Sequence, residues 1–128
     1  MTLATLPAML GTEYLRLLEA KDETGIFDLL AEDAQVVDEL TRRWVRGRLP
    51  IGAAMRELFT RVTDIHSTVE DLHVMRWGDI QVETFTLHQV YDLDEVSCWV
   101  VSPTTMIWHR VGHAWKLALL SSIPTDAS

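Results

Sequence analysis

The residue of this chain best suited to acid–base chemistry is Asp38, which ends a short β-branched run, Ala34 to Val37. Apolar neighbours such as Val36 predict partial desolvation of this carboxylate, which suits a general base. A structural interpretation is equally available. Thr41, three positions later, favours an Asx-type turn in which the Asp38 side chain bonds its own backbone. The sequence leaves both interpretations open.

A phenol is the second group that could take part in chemistry. Tyr14 shares one face with Leu10, Leu17 and Leu18 at helical spacing, so its side chain is expected to point inward. Its hydroxyl then either bonds a backbone group in the core or enters a pocket. In a pocket it could donate a hydrogen bond to a bound molecule.

Two histidines are candidates for a second proton carrier, because an unperturbed imidazole titrates near neutral pH. His109 has the same strand parity as Thr105 and Ile107, so these three side chains should share one face of the sheet. His88 could line the mouth of the pocket from a neighbouring strand.

Motifs for cofactors are missing from the sequence. It has no HExxH or CxxC pattern of a metal site, and no GxGxxG, P-loop or GxSxG pattern. We therefore expect no metal and no cofactor, and any chemistry would be cofactor-free.

Three helices and then strands are predicted to position these groups. The second helix is expected from Glu23 to Ala31 with Asp22 as its cap, and the third opens at Pro50. The third helix has apolar positions at helical spacing: Ile51, Met55, Leu58, Phe59 and Val62. Four antiparallel strands follow, near 67–77, 79–91, 96–110 and 113–123. We predict a single α+β domain over residues 1–128, with three N-terminal helices packed into the concave face of a curved, mixed or antiparallel sheet of about six strands.

Composition limits the partners. The 128 residues include 11 Lys and Arg against 19 Asp and Glu, a net charge of −8, which would repel nucleic acid. No apolar run reaches the ~18 residues of a membrane span, and the N-terminus lacks the basic region of a secretory signal. A single cysteine permits no intrachain disulfide. We expect a soluble, cytoplasmic protein that binds neither nucleic acid nor membrane.

The late strands predict a partner subunit. The segments Met106 to Trp108 and Leu117 to Leu120 are apolar on both faces, whereas helices can cover one face only. A second copy of the chain is the simplest cover for the other face. The expectation is a homodimer packed sheet to sheet.

Three stretches of the sequence carry a resemblance to a known fold family. YLRLLEAKDETGIFDLLAEDAQVVD, VRGRLPIGAAMRELF and TTMIWHRVGHAWKLALLSS resemble the opening, the third helix and the closing hairpin of ketosteroid isomerase and the SnoaL-like polyketide cyclases. These proteins belong to the nuclear transport factor 2-like (NTF2-like) superfamily. The resemblance implies its cone-shaped fold, but it is weak on function because this fold hosts many activities.

The resemblance also implies roles for particular residues. Tyr14 matches the phenol that bonds a developing oxyanion, and Asp38 matches the carboxylate that moves a proton. The second oxyanion donor of the isomerases, a protonated Asp, is matched by Thr105, with Thr104 as the register alternative. Ketosteroid isomerase is the standard example of that neutral carboxylic acid. A threonine is a weaker donor, so a strict steroid isomerase is disfavoured.

The leading hypothesis is a protein that binds a small, largely apolar molecule and transfers protons in isomerase or cyclase chemistry. Asp38 would be the base, Tyr14 and Thr105 would polarise a carbonyl or hydroxyl, and His109 or His88 would assist. The expected substrate-binding wall consists of Leu18, Leu30, Trp44, Met55, Phe59, Ile107 and Trp99.

Two alternatives stay open. One is a non-catalytic ligand-binding or protein-interaction module, in which Asp38 is a turn residue. The other is an epoxide hydrolase or dehydratase; the hydrolase would pair Asp38 with a nearby arginine from the cluster Arg42, Arg43, Arg46 and Arg48.

Overall fold

The structure is a computed structural model, and it describes residues 8–125. The helices are α1 (Gly11–Ala20), α2 (Glu23–Leu29) and α3 (Arg48–Leu58). The strands are β1 (Leu30–Asp38), β2 (Val45–Arg46), β3 (Val62–Trp77), β4 (Ile80–Leu93), β5 (Val96–Val111) and β6 (Ala114–Ser122). The predicted α+β architecture of three helices on a six-stranded sheet is confirmed.

All six strands form one mixed sheet in the order β2-β1-β6-β5-β4-β3. Strands β1 and β6 run parallel, and the other neighbouring pairs run antiparallel. In the parallel pair, Asp38 lies directly opposite Ser122. The end of an early strand is thereby placed beside the end of the last strand.

Two irregularities bend the long edge strand β3. Its register with β4 shifts between Thr63 and His66 and again between Glu70 and His73. Asp64 and Asp71, at these shifts, both have φ of 53°. Bulges of this kind increase the local twist and bend a strand, which lets the sheet curve around the helices.

The core lies on one face of this sheet. Alternate residues of β4 and β5 are buried, as the pleat requires: Gln81, Glu83, Phe85, Leu87 and Tyr91 on β4, and Ser102, Thr104, Met106 and Trp108 on β5. Residues of the helices, including Tyr14, Leu17, Ile26, Ile51 and Met55, complete the core. We call this helix-covered side the inner face, and the opposite side the outer face.

Several element boundaries differ from those expected. Helix α3 ends at Leu58 and does not include Val62, because the amides of Thr60 and Arg61 bond the carbonyls of Glu57 and Leu58 in a turn. Val62 instead begins β3. The predicted cap on α2 is confirmed, since Asp22 Oδ1 accepts a hydrogen bond from Gly25 N at 2.9 Å.

Helix α2 stops at Leu29, before the predicted Ala31. Leu30 already has an extended backbone with ψ of 135°, and β1 starts there, four residues before the predicted Ala34. Among the helices of residues 8–125, none has the length and apolar character needed to cross a membrane.

Candidate functional site

A small cavity of about 60 Å³ lies between the helices and the inner face. Most of its wall is apolar: Leu15, Leu18, Leu40, Met55, Leu58, Val62, Ile65, Leu87, Met106 and Leu120. Its polar residues are Tyr14, Asp38, Gln89, Tyr91 and Ser122. An apolar wall with a few convergent polar groups is the usual composition of a small-molecule site.

A wider cleft of about 410 Å³ adjoins this cavity. It lies between α3 and the β1–β2 loop, and Asp38, Leu40, Met55 and Leu58 line both spaces. Charged side chains of both signs line the cleft, among them Arg42, Arg43, Glu57 and Arg61. A molecule with an apolar end in the cavity could therefore extend a polar end into the cleft.

Asp38 occupies the boundary between the two spaces. Its Oδ1 accepts hydrogen bonds from Leu40 N at 3.0 Å and Thr41 N at 2.8 Å, and Thr41 Oγ1 accepts one from Asp38 N at 3.1 Å. This is the Asx-type turn that the sequence suggested. Oδ2 has no hydrogen bond within residues 8–125. The carboxylate thus holds its own turn with one oxygen and lines the cavity.

Two phenols share the cavity with Asp38. Tyr14 and Tyr91 are only 4% and 5% exposed, and neither hydroxyl has a hydrogen-bond partner within residues 8–125. Burial, reinforced by the charge of Asp38, raises the pKa of Tyr14 far above its ordinary value. Burial likewise raises the pKa of Tyr91 to about 12, with smaller contributions from Cys98 and nearby carboxylates. Both side chains are therefore neutral hydrogen-bond donors near pH 7.

A pair of hydroxyls lies deeper on the inner face. Thr104 Oγ1 donates to the carbonyl of Ser102 at 3.0 Å and lies 2.8 Å from Ser122 Oγ. Because a hydroxyl has one proton, the arrangement that satisfies both bonds has Ser122 donating to Thr104. Neither proton is then available to a molecule in the cavity.

The expected second donor, Thr105, faces the other way. The buried residues of β5 are Thr104 and its even-numbered neighbours, so Thr105 lies on the outer face. The register alternative, Thr104, is the inward residue. The prediction for Thr105 was one residue out of register, which in a strand exchanges the two faces.

The same parity places both candidate histidines on the outer face, away from the cavity. His109 is exposed and lies opposite Ile80 of the neighbouring strand β4. His88 Nε2 lies 3.1 Å from Glu70 Oε2, although at an angle that makes no hydrogen bond. The expectation that either histidine lines the pocket is wrong.

Two residues of the predicted substrate-binding wall, Leu18 and Met55, line the cavity. Leu30 and Phe59 are buried in the core outside the cavity lining. Ile107 lies on the outer face with Thr105. Trp44 and Trp99 are exposed by 39% and 66%, so neither forms part of an enclosed wall.

Two residues were not predicted from the sequence: Tyr91, which lines the cavity, and Glu83, a fully buried carboxylate on β4. Glu83 has the larger set of contacts. Its Oε1 accepts hydrogen bonds from Gly11 N and Trp108 Nε1, both at 2.9 Å. Its Oε2 accepts from Leu10 N at 2.6 Å and from Gln81 Nε2 at 2.7 Å. The negative charge lies at the N-terminus of α1, where the helix dipole favours it. Glu83 therefore fixes the start of the helix that carries Tyr14.

A sequence signal for Glu83 existed. Glu83 lies between Gln81 and Phe85 in a strand whose side chains alternate between the two faces of the sheet. Because Phe85 and Leu87 are apolar and share its parity, Glu83 is expected on the buried face. Its partners on α1 and β5 are distant in sequence and gave no local signal.

The arginine cluster forms contacts mostly with groups other than Asp38. Arg42 pairs with Glu39 at 2.6 Å, and Arg48 lies 3.6 Å from Asp28. Arg46 Nε donates to Gln35 Oε1 at 3.0 Å. These contacts give no support to an Asp–Arg pair of the epoxide hydrolase type.

Comparison with known proteins identifies solved structures of similar fold. No family model matches the sequence, and no curated protein sequence matches it. A proposed dehydratase of the NTF2-like family from Streptomyces avermitilis superposes with a TM-score of 0.83 at 18% identity, over 91% of each chain. The chain has the NTF2-like fold. The outcome confirms the architecture that the sequence resemblance implied.

Other NTF2-like and related structures are similar in shape. A ketosteroid isomerase-like protein from Erwinia carotovora atroseptica has a TM-score of 0.76 at 12% identity, over 91% of each chain. A proposed calcium/calmodulin-dependent protein kinase II association domain from Xanthomonas campestris has a TM-score of 0.81 at 16% identity, over 98% of this chain and 95% of the other. At these identities the NTF2-like fold is shared, and function must be argued from the site.

Proposed function

We propose that this protein binds a small, largely apolar molecule in the cavity and transfers a proton with Asp38 as general base. The observation that supports this most directly is that Asp38 and Tyr14 line one apolar cavity, where the Tyr14 side chain is buried and its hydroxyl has no partner within residues 8–125. A carboxylate can remove a proton from carbon next to a carbonyl, and a neutral phenol can stabilise the oxygen that becomes negative.

The turn at Asp38 is compatible with this role. Oδ1 is held by two backbone amides, which fixes the side-chain orientation, while Oδ2 keeps its lone pairs for a substrate proton. The two oxygens can thus have separate structural and chemical tasks.

The turn also provides a sharp test. In Asp38→Asn the amide oxygen can keep both backbone hydrogen bonds, because Asn forms Asx turns as Asp does, but the base is lost. In Asp38→Ala both the turn bonds and the base are lost. Comparing the two variants separates structure from chemistry.

The assay is deuterium uptake next to the carbonyl of cyclic ketones in heavy water, followed by NMR. We expect the wild type to exchange faster than buffer, and Asp38→Asn to lose roughly a hundredfold or more of that rate with its urea stability unchanged. Asp38→Ala should lose the rate and also about 1 kcal/mol of stability. Equal exchange by wild type and Asp38→Asn would show that Asp38 is not the base.

The second candidate function is ligand binding without catalysis. It is favoured by the same turn, because a carboxylate that bonds its own backbone needs no chemical role, and by the small volume of the cavity. Under this hypothesis ketones bind equally well to the wild type and Asp38→Asn, and neither protein accelerates exchange.

We also propose that the protein is a homodimer joined through the outer face. Val82 pairs with Ile107, and Ile107 with Leu119, so an apolar row crosses three strands on the side opposite the helices. The exposed pair Val90 and Trp99 extends this apolar surface. A second copy would bury it by two-fold symmetry.

Sedimentation at micromolar concentration tests the dimer. Ile107→Glu should yield monomers, whereas Val96→Glu, in the exposed β4–β5 hairpin, should not change the mass. A wild type that sediments as a monomer would refute the assembly.

A further inference from the structure

We propose that Leu40 and Leu58 determine which ligands the site accepts, because their side chains form a partition between the cavity and the cleft that a ligand has to displace. The ligand class is then an elongated, neutral molecule, with a single ring beside Asp38 and an apolar chain in the cleft. The inference rests on the proposed function for the site, and it adds the residues that select the ligand by size.

The cavity alone is too small for a ring. Its volume is about 60 Å³, whereas a dry apolar cavity that binds benzene has a volume of about 150 Å³. The adjoining cleft of about 410 Å³ provides the missing space. Because Asp38 lines both spaces, a ring beside this carboxylate has to occupy part of each.

Four residues line both spaces and therefore form the boundary between them: Asp38, Leu40, Met55 and Leu58. Two backbone amides hold Asp38 in its turn. Met55 is only 8% exposed and belongs to the core. The two leucines are only partly buried, so theirs are the side chains that a ligand can displace.

Leu58 is the member of the pair that can be tested without disturbing Asp38. It is the last residue of α3, and its carbonyl accepts a hydrogen bond from Arg61 N at 2.9 Å, which fixes its backbone. Its apolar side chain can change from one staggered rotamer to another without breaking a hydrogen bond. Leu40, by contrast, donates its backbone N–H to Asp38 Oδ1 at 3.0 Å.

The cleft beyond the partition suits a neutral chain. Val36, Val45 and Ile51, all buried, contribute apolar side chains to its lining. Its charged residues include as many acids as arginines: Asp38, Glu39 and Glu57 against Arg42, Arg43 and Arg61. Because neither sign of charge dominates, the cleft gives an ionic ligand no consistent attraction. An apolar chain can pack against the buried side chains.

The test measures the binding of toluene and butylbenzene to the protein by NMR titration. Neither probe has a carbonyl, so binding does not depend on proton transfer. In Leu58→Ala, the additional methylenes of butylbenzene can enter the cleft, and each should tighten binding about two- to fourfold. Butylbenzene should therefore bind this variant roughly ten- to sixtyfold more tightly than toluene does.

The matched control is Leu18→Ala, because Leu18 is also partly buried but lines the cavity and not the cleft. This deletion enlarges the cavity and leaves the partition in place. Toluene should gain affinity, and butylbenzene should bind no more tightly than toluene. Leu58→Val, which removes less of the side chain, should have a smaller preference for butylbenzene and keeps the test decisive if Leu58→Ala does not fold.

Two results would overturn the inference. One is the same dependence on chain length in the variants at Leu58 and in Leu18→Ala. The other is a folded Leu58→Ala that binds neither probe, since its opened space would exceed the volume that holds benzene.

Failure of the proposed function gives a different result. If Asp38 is not a base, the wild type accelerates no deuterium exchange, but the variants at Leu58 and Leu18 still differ in their dependence on chain length. If the partition is absent, the exchange still depends on Asp38, but those variants do not differ.

Discussion

Replacing Glu83 by glutamine should destabilise the protein strongly although the two side chains have almost the same shape. The carboxylate accepts four hydrogen bonds, two on each oxygen. An amide keeps one oxygen, which can still accept from Gly11 N and Trp108 Nε1. Its nitrogen is itself a donor, so it cannot accept the hydrogen bonds that Leu10 N and Gln81 Nε2 give to the carboxylate.

The surrounding bonds prevent an easy repair. Gln81 could accept from the new amide only by rotating its own, but its nitrogen also donates to Ala8 O at 2.8 Å and its oxygen accepts from Arg76 Nε at 2.8 Å. A rotation would break both contacts. The two donors Leu10 N and Gln81 Nε2 would therefore stay without an acceptor at this site in the core.

The magnitude follows from the bonds lost. Hydrogen bonds to a charged group contribute about 1.5–3 kcal/mol each, and two are lost. The lower cost of burying a neutral amide offsets part of this loss. We expect a loss of about 3 kcal/mol, which for a chain of this size corresponds to a fall of about 10 °C in Tm.

Urea unfolding followed by tryptophan fluorescence measures the loss, and the indole N–H resonance of Trp108 reports the broken geometry. Glu32→Gln is the control, since Glu32 is exposed and should unfold as the wild type does. A loss below about 1 kcal/mol with an unmoved Trp108 resonance would refute this account of Glu83.

Two further perturbations test the site's surroundings. The chain has two tyrosines, and burial raises the pKa of Tyr91 from 10.0 to about 12 and that of Tyr14 further. Their neutral forms therefore stabilise the fold fully below pH 10, and that stability falls as pH rises through 12. Phenolate absorbance should appear together with the loss of circular dichroism, and absorbance at pH 10 from folded protein would contradict the burial. In Gly11→Ala the new Cβ would lie 2.6 Å from Met106 Sδ and 3.0 Å from Glu83 Oε1. The overpacking, about 1–3 kcal/mol, should outweigh the gain of about 1 kcal/mol in helix propensity. In Gly52→Ala the nearest atom to the new Cβ would be Phe27 Cδ2 at 3.2 Å, so the fall in Tm on thermal unfolding should be smaller. Equal falls in Tm for the two variants would contradict the packing at Gly11.

The sequence predicted those features that depend on local pattern. The helical spacing of Tyr14 with Leu17 indicated the inward phenol, and Asp22 indicated the cap of α2. Asp38 was placed correctly at a strand end, and its turn with Thr41 follows from neighbouring residues. Periodicity and turn chemistry were sufficient in each case.

The errors at Thr105 and His109 have one physical origin. A strand's two faces alternate with every residue, so a shift of one residue exchanged Thr105 for Thr104 and moved His109 to the outer face. Tyr91 and Glu83 were missed for a related reason. Strand parity could indicate that Glu83 is buried, but its partners on α1 and β5 depend on how distant segments pack. The cavity that Tyr91 shares with Asp38 depends on the same long-range packing.

The parallel pairing of β1 with β6 has a consequence for how the site forms. Asp38 lies opposite Ser122, and most of the chain separates the two in sequence. Closing so long a loop is slow, because the chain loses conformational entropy before the stabilising contacts between the two strands form. The Asp38 carboxylate should therefore reach its place on the cavity wall among the latest events of folding. A folding intermediate that already contains the β3–β5 meander would still lack Asp38 at the cavity.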